Sequence, residues 1–241
     1  MAPPGIQLRG LSLYFGGRAV FENLSFDVAP GQFVALLGPS GVGKTSLLRI
    51  IAGLEPPATG SVMATDGQPL APRIAYMAQQ DLLLPWANVL SNVMLGAKLR
   101  GQAPEPDRAL HLLERVGLTG RGRALPSQLS GGMRQRAALA RTLYEQRPVV
   151  LMDEPFSALD SITRARIQDL AAELLADCTV LLITHDPLEA CRLGHHLLVL
   201  SGYPAKLGAP IEVSGPPPRA IDDPAVLQTQ GRLMRALTAT A

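Results

Sequence analysis

Apolar residues along this chain of 241 residues follow two patterns. Short continuous apolar runs, at Phe33–Leu37, Val149–Met152 and Thr179–Thr184, have the length of strands that are buried on both faces. Longer segments with apolar residues at helical spacing lie between them, for example residues 162–178. Because strands and helices alternate in this way, the sequence predicts an α/β fold with a mainly parallel sheet covered by helices.

A glycine-rich segment lies between a predicted strand and a predicted helix. It reads GPSGVGKT, follows the run Phe33–Leu37 and precedes the apolar positions of TSLLRIIAG. The glycines let backbone N–H groups turn inward around phosphates, and the following helix adds its N-terminal dipole. Lys44 would reach the β- and γ-phosphates, and the Thr45 hydroxyl would bind Mg²⁺. The predicted nucleotide-binding residues of this phosphate loop are Gly38, Pro39, Ser40, Gly41, Val42, Gly43, Lys44, Thr45 and Ser46.

Two adjacent carboxylates follow another predicted buried strand. Asp153 and Glu154 come directly after Val149–Met152, and neighbouring side chains at the end of a strand can serve different tasks. Two such acids alone are more often loop residues or a helix cap. Because a phosphate loop precedes them, we interpret Asp153 as holding the Mg²⁺ shell and Glu154 as orienting the water that attacks the γ-phosphate.

A second glycine motif, LSGGMRQR at Leu129–Arg136, begins another predicted helix. The Ser130 hydroxyl and the N–H groups of Gly131 and Gly132 would form an anion site at the helix N-terminus. A serine at this position can also be a helix cap that binds no ligand. The phosphate loop elsewhere in the chain favours the phosphate-binding interpretation.

Together and in this order, the phosphate loop, LSGGMRQR and VVLMDE at Val149–Glu154 resemble the ATP-binding cassette (ABC) family. The resemblance extends from Ile6 to about Leu200. It implies a P-loop NTPase with a mainly parallel core sheet, an N-terminal antiparallel β subdomain and an inserted helical subdomain. It also implies an ATPase that uses ATP and Mg²⁺. Met133 departs from the commoner LSGGQ spelling of the signature.

The resemblance assigns further residues to the γ-phosphate. His185 in ITHD resembles the switch histidine of the family, although a histidine that closes a buried strand is frequently structural. Gln79 in IAYMAQQ resembles the Q-loop glutamine that contacts Mg²⁺ and the attacking water, and Gln80 is the alternative. The predicted catalytic residues are Glu154, His185 and Gln79. The predicted metal ligands are Thr45, Gln79 and Asp153.

The same resemblance implies that one chain does not complete a site. In the family, the signature faces the γ-phosphate held by the other subunit. Because this chain has one phosphate loop and one signature, two sites require a second chain, most simply in a two-fold homodimer. SALD at Ser157–Asp160 resembles the D-loop that crosses this interface, with Asp160 as its carboxylate. The residues predicted to act on the second subunit are Ser130, Gly131, Gly132 and Gln135.

The family places an aromatic residue that stacks on adenine where this chain has Phe15, before two glycines. Tyr14 is the second candidate, and both can also be ordinary strand aromatics. Stacking requires only a π-face, so a phenylalanine suffices.

The predicted organisation has four parts. Residues 1–80 form the N-terminal β subdomain and the phosphate-loop part of the ATPase core, and residues 81–129 form the helical subdomain. Residues 130–214 complete the core, and residues 215–241 form a C-terminal tail with a short amphipathic segment.

The run LLLPW at 82–86 follows the Q-loop directly. It does not alternate like a half-buried strand, and Pro85 disfavours a helix through Leu84. The leucines can be explained by a core segment. The single tryptophan of the chain, next to a proline, fits better as an interface anchor. ABC importers receive a short permease helix beside the Q-loop, so the predicted docking residues are Leu83, Leu84, Pro85 and Trp86.

A narrower resemblance rests on AQQDLLLPWANVLSNV and SGYPAKLGAPIEVSGPPPR. Both are similar to bacterial importer ATPases for nitrate, sulfonates, taurine and thiamine-precursor pyrimidines. This resemblance implies a peripheral subunit on the cytoplasmic face of the inner membrane, bound to permease subunits and served indirectly by a periplasmic solute-binding protein. The alternative is a non-transport ABC ATPase that acts as a nucleotide switch on a macromolecule.

Composition restricts the function further. The net charge is +2 with no block of basic residues, so nucleic acid is not expected as a ligand. The N-terminal MAPPGIQLRG lacks the pattern of a signal peptide, and the apolar runs are shorter than the roughly 18–20 residues that cross a bilayer. Cys178 and Cys191 indicate no disulfide framework. The remaining histidines, which we expect at the surface, are His111, His195 and His196.

Overall fold

The computed structural model describes residues 2–238 and confirms the predicted α/β class. Its strands are β1 (Ile6–Phe15), β2 (Arg18–Val28), β3 (Phe33–Leu37), β4 (Thr59–Ala64), β5 (Ile74–Met77), β6 (Val149–Asp153), β7 (Thr179–Ile183), β8 (His196–Ser201), β9 (Lys206–Leu207) and β10 (Ile211–Glu212). Its α-helices are α1 (Lys44–Ile51), α2 (Val89–Val93), α3 (Leu95–Leu99), α4 (Pro106–Arg115), α5 (Gly131–Tyr144), α6 (Ser161–Leu174), α7 (Pro187–Leu193) and α8 (Pro224–Thr238).

Two sheets form the framework. The N-terminal sheet is antiparallel and has the strand order β2-β1-β4. The core sheet has the order β10-β8-β3-β7-β6-β5, with β9 paired to β8. Strands β8, β3, β7, β6 and β5 run parallel, whereas β10 and β9 are antiparallel to β8. The core sheet is therefore mainly parallel, as the sequence predicts.

The apolar runs are continuous because both faces of the core sheet are covered. Val150 and Met152 of β6 face a cluster that includes residues of α5 and α6. Val149 and Leu151 face the opposite cluster, which contains α1 and the N-terminal sheet. Alternate residues of one strand thus enter two different cores, so β6 is apolar until Asp153 at its carboxyl end.

Helices α2 and α4 pack on α5, the helix that begins at the signature. The side chain of Asn88 caps α2 by accepting from the Ser91 N–H at 2.8 Å. Pro106 is the first residue of α4, where its missing N–H and fixed φ are tolerated. Polar and proline residues therefore set where these helices start.

The C-terminal segment joins the core sheet. Helix α8 packs against α7 and β8, and it buries Val226, Thr229 and Leu233. The same cluster contains Ile211 and Val213, which lie in and beside β10. The amphipathic pattern of residues 224–237 is thus satisfied within the chain itself. No helix within residues 2–238 combines the length and the apolar character that a membrane span requires.

The strand order brings the candidate site together. The phosphate loop follows β3, His185 lies just after β7, Glu154 follows β6 and Gln79 lies just after β5. These strands are consecutive neighbours in the order β3-β7-β6-β5 and run parallel. Their carboxyl ends therefore meet at one edge of the sheet, which is where ligands bind in open α/β folds.

Candidate nucleotide site

The phosphate loop needs glycine at three positions for different reasons. Gly38 has φ 153°, and a Cβ there would lie 2.1 Å from the Leu200 carbonyl oxygen. Gly43, at φ 105°, would meet a methyl group of Val20 at 2.5 Å. Gly41 has φ 78° but open space around it. The loop thus packs tightly against the sheet on one side and stays open at Gly41, as a backbone cradle for phosphates requires.

The helix after the loop has an N-terminus without a side-chain cap. No side chain of the described residues bonds the first N–H groups of α1, and its first turn carries no acid. In contrast, α2, α5, α6 and α7 are each capped by a side chain. Unpaired N–H groups and the helix dipole favour an anion at this point. The loop and α1 therefore fit the phosphates of a nucleotide.

Lys44 lies across the mouth of this cradle. Its Nζ donates to the carbonyl oxygens of Gly38 and Pro39, each at 2.8 Å. Burial lowers the pKa of Lys44, while the nearby carboxylates of Glu154 and Asp153 act in the opposite direction. The ammonium is thus held where it can interact with β- and γ-phosphate oxygens.

Thr45 and Asp153 form a pair of oxygen donors beside the loop. The Thr45 hydroxyl donates to Asp153 Oδ2 at 2.8 Å. Burial raises the pKa of Asp153, and the Thr45 hydrogen bond opposes this shift. One buried carboxylate and one hydroxyl next to a phosphate site match the donors that Mg²⁺ takes from proteins, since it receives its other ligands from phosphates and water. The residues present therefore fit a magnesium ion.

Two of the three predicted catalytic side chains, Gln79 and His185, converge on the third, Glu154. Gln79 Nε2 donates to Glu154 Oε2 at 3.1 Å, and His185 Nδ1 lies 3.2 Å from Glu154 Oε1. Both candidate glutamines are exposed, and Gln79 is the one that reaches the carboxylate. The cluster joins the ends of β5, β6 and β7 around one acid.

The backbone of Glu154 is fixed in an uncommon conformation. Its φ is 48°, a left-handed value that few residues other than glycine adopt. The Glu154 N–H donates to the Ile183 carbonyl at 2.9 Å, and the Ser157 hydroxyl donates to the Glu154 carbonyl at 3.0 Å. These bonds hold the turn, so the carboxylate lies at the edge of the sheet instead of continuing β6.

Gln135 does not lie where the prediction places it. The side chain is buried, and its Nε2 donates to the Glu154 carbonyl of the same chain at 3.2 Å. Because α5 starts at Gly131, position 135 lies about one turn further along the helix, where α5 packs into the core. Gln135 therefore supports the Glu154 turn, and contact with a second subunit is not proposed for it.

The rest of the signature is accessible. Ser130 is the N-cap of α5, with its Oγ accepting from the Met133 N–H at 3.3 Å, and Gly131 is exposed. A Cβ on Gly132 would lie 3.0 Å from the Ala158 carbonyl oxygen, so the signature packs against the predicted D-loop segment. In that segment Asp160 caps α6 by accepting from the Thr163 N–H at 3.0 Å.

Two arginines of α5 hold the segment after Gln79. Arg134 Nε donates to Asp81 Oδ2 at 3.0 Å, and Arg141 donates to the carbonyl oxygens of Asp81 and Leu82 at 2.6 and 2.9 Å. Sequence reasoning missed both residues. The only signal was their spacing of seven on one helix, which places them on the same side.

The two candidate adenine aromatics differ in their contacts. The Tyr14 hydroxyl donates to Glu22 at 2.9 Å, which ties its ring to the surface of the N-terminal sheet. Phe15 is 58% exposed at the end of β1. The structure thus leaves Phe15 freer to stack on a base.

The predicted docking run divides into buried and exposed residues. Leu83 is only 8% exposed and belongs to the core cluster below α5, so its assignment to the docking surface is wrong. Leu84 is half-buried, whereas Pro85 is exposed and Trp86 is 77% exposed. Buried Asn92 fixes the loop by accepting from the Leu84 N–H at 2.7 Å.

Two of the three histidines that we expected at the surface are half-buried. His195 is half-buried, and its Nδ1 accepts from the Phe33 N–H at 2.9 Å. His195 therefore has a structural role, because its ring holds the first residue of β3. Burial lowers the pKa of His195. His111 is exposed and His196 is half-buried in β8.

A family profile described as ABC transporter matches residues 21–157, a range that includes the phosphate loop, the signature and Glu154. The chain belongs to the ABC transporter family. An aliphatic sulfonates import ATP-binding protein, SsuB 1 of Rhodococcus jostii, is 49% identical over 82% of this chain and 79% of its own length. The SsuB 2 protein of Streptomyces avermitilis is 44% identical over 98% of this chain and 92% of its own.

Solved structures agree with this assignment. A dimeric ATP-binding cassette in a post-hydrolysis state, bound to ADP and Pi, is 30% identical to this chain with a TM-score of 0.77, over 87% of this chain and 99% of the other. The P-loop NTPase fold predicted from the motifs is therefore confirmed. As a member of the ABC family, the chain binds and hydrolyses ATP.

Proposed function

We propose that this chain is the ATP-hydrolysing subunit of a bacterial importer for aliphatic sulfonates or a similar small solute. The observation that carries the ATPase part is the convergence of Gln79 and His185 on Glu154, beside the Thr45–Asp153 pair. The solute class is supported by the relatives named as sulfonate import proteins at 44% and 49% identity.

The chemistry follows from these positions. Thr45 and Asp153 would hold Mg²⁺ with Gln79 beside them, and the ion would neutralise charge on the phosphate oxygens. The phosphate loop and Lys44 would bind and orient the triphosphate. Glu154 would orient the attacking water, and His185 would contact the γ-phosphate from the end of β7.

We infer that the working unit is a homodimer. Ser130 and Gly131 are exposed at the N-terminus of α5, and Gly132 beside them packs against Ala158 of the D-loop segment. The related cassette structure is dimeric. A second copy placing its signature against the phosphate loop would complete each site, with Asp160 near the interface.

The proposed location is the cytoplasmic face of the inner membrane, as a peripheral subunit held by permease subunits. A periplasmic solute-binding protein would deliver the solute to that permease and would not touch this chain. Trp86 and Pro85, with half-buried Leu84 beside them, are the residues that we propose for permease contact.

The solute class is tested by growth. A strain that lacks this gene should fail to grow with an alkanesulfonate as its sulfur source and should grow normally on sulfate. Wild-type protein should restore growth, and Glu154→Gln should not. Normal growth of the deletion strain on sulfonate, with no other sulfonate importer present, would contradict the solute class and leave the ATPase assignment intact.

Replacing Lys44 with alanine should weaken ATP binding by about tenfold or more, since charge-assisted hydrogen bonds each contribute roughly 1.5–3 kcal/mol. Binding of a fluorescent ATP analogue to the purified chain measures this effect. Lys98→Ala is the matched control, because Lys98 is exposed on α3 away from the loop. Equal affinity of the two variants would remove Lys44 from the site.

Replacing Phe15 with alanine should raise the KM for ATP about tenfold with little change in kcat, since stacking contributes on the order of 1–3 kcal/mol per base. GTP should compete with ATP within about tenfold, because stacking does not discriminate between bases. Tyr14→Phe, which removes only the bond to Glu22, should leave KM unchanged. A raised KM in Tyr14→Phe with a normal Phe15→Ala would reverse the assignment.

A further inference from the structure

Glu189 is a buried carboxylate that the nucleotide site described above does not use. It lies on α7 and is 4% exposed. Gln168 Nε2 donates to its Oε2 at 3.0 Å, and the Thr184 hydroxyl lies beside this carboxylate as a second donor that lowers its pKa. A buried charge is costly unless it is hydrogen-bonded, so these two donors are what permit Glu189 to ionise there.

Thr184 lies between Glu189 and the catalytic cluster, in the lining of a cavity that they share. Thr184 is buried and directly precedes His185. Its Oγ1 accepts from the Asp186 N–H at 3.0 Å. That bond occupies Thr184 as an acceptor and leaves its proton for Glu189. The residues on both sides of His185 are thus fixed by one hydroxyl. His185 in turn lies 3.2 Å from Glu154.

The orientation of the Gln168 side chain, the other neighbour of Glu189, is fixed by Arg192. Arg192 Nη1 donates to Gln168 Oε1, and Arg192 Nε donates to the Arg219 carbonyl at 3.0 Å. Because a guanidinium only donates, the Gln168 oxygen must face Arg192 and its NH₂ must face Glu189. Glu189 is therefore required to accept from both Gln168 and Thr184, which an ionised carboxylate does and an amide cannot do in full.

Glu189 also shares a small cavity with the catalytic acid. A cavity of about 20 Å³ is lined by residues that include Glu154, His185 and Glu189. Arg164 contributes a buried Nε that has no hydrogen-bond acceptor among the described residues. This volume is sufficient for about one water molecule, and the lining is polar. Glu189 is thus separated from the Glu154 carboxylate and the His185 imidazole only by this cavity.

We propose that Glu189 is a positioning residue for His185, and that its ionised form, acting through Thr184, holds His185 against Glu154 for ATP hydrolysis. The inference rests on the proposed function, since it concerns the rate of the same reaction. Glu189 does not touch the nucleotide site itself, so it should affect kcat and not ATP affinity.

The protonation state of Glu189 changes near neutral pH. Burial raises the pKa of Glu189 to about 7, and the charge of Asp186 adds to this shift, whereas Thr184, Gln168 and Arg164 oppose it. The charged and titratable groups that face it are Asp186 at the N-cap of α7, Arg164 on α6, His185 and Glu154 across the cavity, and Arg192 beyond Gln168. Protonated Glu189 has to donate a hydrogen, so it no longer accepts fully from both neighbours. Deprotonation through pH 7 should therefore favour hydrolysis.

The test compares Glu189→Gln with wild-type protein in ATPase assays of the full chain. We expect kcat to fall at least fivefold while the KM for ATP stays within twofold. The ratio of wild-type to variant kcat should be at least three times larger at pH 8 than at pH 6, since only the wild type gains the ionised form. An unchanged kcat, or a loss that is equal at both pH values, would overturn the proposal.

A second variant covers the case in which Glu189→Gln does not fold. Thr184→Val removes the hydroxyl at nearly constant volume and should lower kcat by a similar factor. Thr142→Val is the matched control, because it removes a buried hydroxyl that donates to the Ala138 carbonyl within α5. Where both single variants fold, their double variant should lose little more than either alone. Normal kcat in Thr184→Val, or an equal loss in Thr142→Val, would refute the proposal.

Glu154→Gln in the same assays separates this inference from the function itself. If Glu154→Gln retains full hydrolysis, the proposed catalytic site is wrong. If Glu154→Gln is inactive while Glu189→Gln is normal at every pH, the site stands and the inference about Glu189 fails.

Discussion

Glu154→Gln should bind ATP normally and lose hydrolysis by roughly 10²–10⁴-fold, which is the usual contribution of a positioned general base. The amide retains the shape of the carboxylate, and its oxygen can still accept from Gln79. It cannot attract a proton from water, and its NH₂ group faces the His185 ring where the carboxylate oxygen lay. Steady-state phosphate release measures the loss of rate.

The same variant should accumulate as an ATP-bound dimer, because in the proposed homodimer an unhydrolysed ATP continues to join the phosphate loop of one copy to the signature of the other. Size-exclusion chromatography with MgATP detects this dimer. Glu173→Gln is the matched control, since Glu173 is an exposed glutamate of α6 that pairs with Arg115. A Glu154→Gln protein that turns over ATP at the wild-type rate would contradict the assignment of the base.

Local motifs made most of this site predictable. The phosphate loop, the acids after β6 and the histidine after β7 each follow a buried strand, and parallel neighbouring strands bring their carboxyl ends together. No single segment of the sequence, however, determines the order of the strands in the sheet. The meeting of Gln79, Glu154 and His185 therefore rested on the resemblance, and the sheet order β3-β7-β6-β5 supplies its physical cause.

Predictions failed where tertiary packing decides the direction of a side chain. Gln135 is close to the signature in sequence, but it lies one helical turn further along α5, where the helix enters the core. Leu83 and Trp86 are three residues apart in an apolar run, yet only Trp86 points outward. The burial of such residues depends on how their helix or loop packs against the rest of the chain, and amino-acid composition does not determine that packing.

The polar network behind the site had no signal in the sequence. Gln168, Glu189 and Arg192 look like ordinary surface residues of two amphipathic helices. Their burial arises because α6 and α7 pack together and the segment before α8 covers them, with Arg219 donating to several backbone carbonyls. Part of the predicted C-terminal tail, residues 215–241, thus covers the buried Arg192 and Glu189.

Trp86→Ala should reduce association with the permease by about thirtyfold or more, since truncating an interface hot spot costs at least about 2 kcal/mol. Its indole is 77% exposed on a loop whose backbone is anchored by Asn92 and Arg141. An exposed aromatic side chain on a rigid loop loses little entropy on binding, which favours an anchor role. Co-purification with the permease and solute uptake in membrane vesicles measure the effect.

Three controls decide whether Trp86 is an anchor. Tyr203→Ala removes another aromatic residue that is 75% exposed, and it should leave permease association unchanged. Leu83→Ala should lower the melting temperature, because Leu83 is in the core, whereas Trp86→Ala should not. ATPase activity of the isolated chain should stay within twofold in Trp86→Ala. A large drop in its melting temperature, with normal association of the folded fraction, would show that the indole stabilises this chain and is not a permease contact.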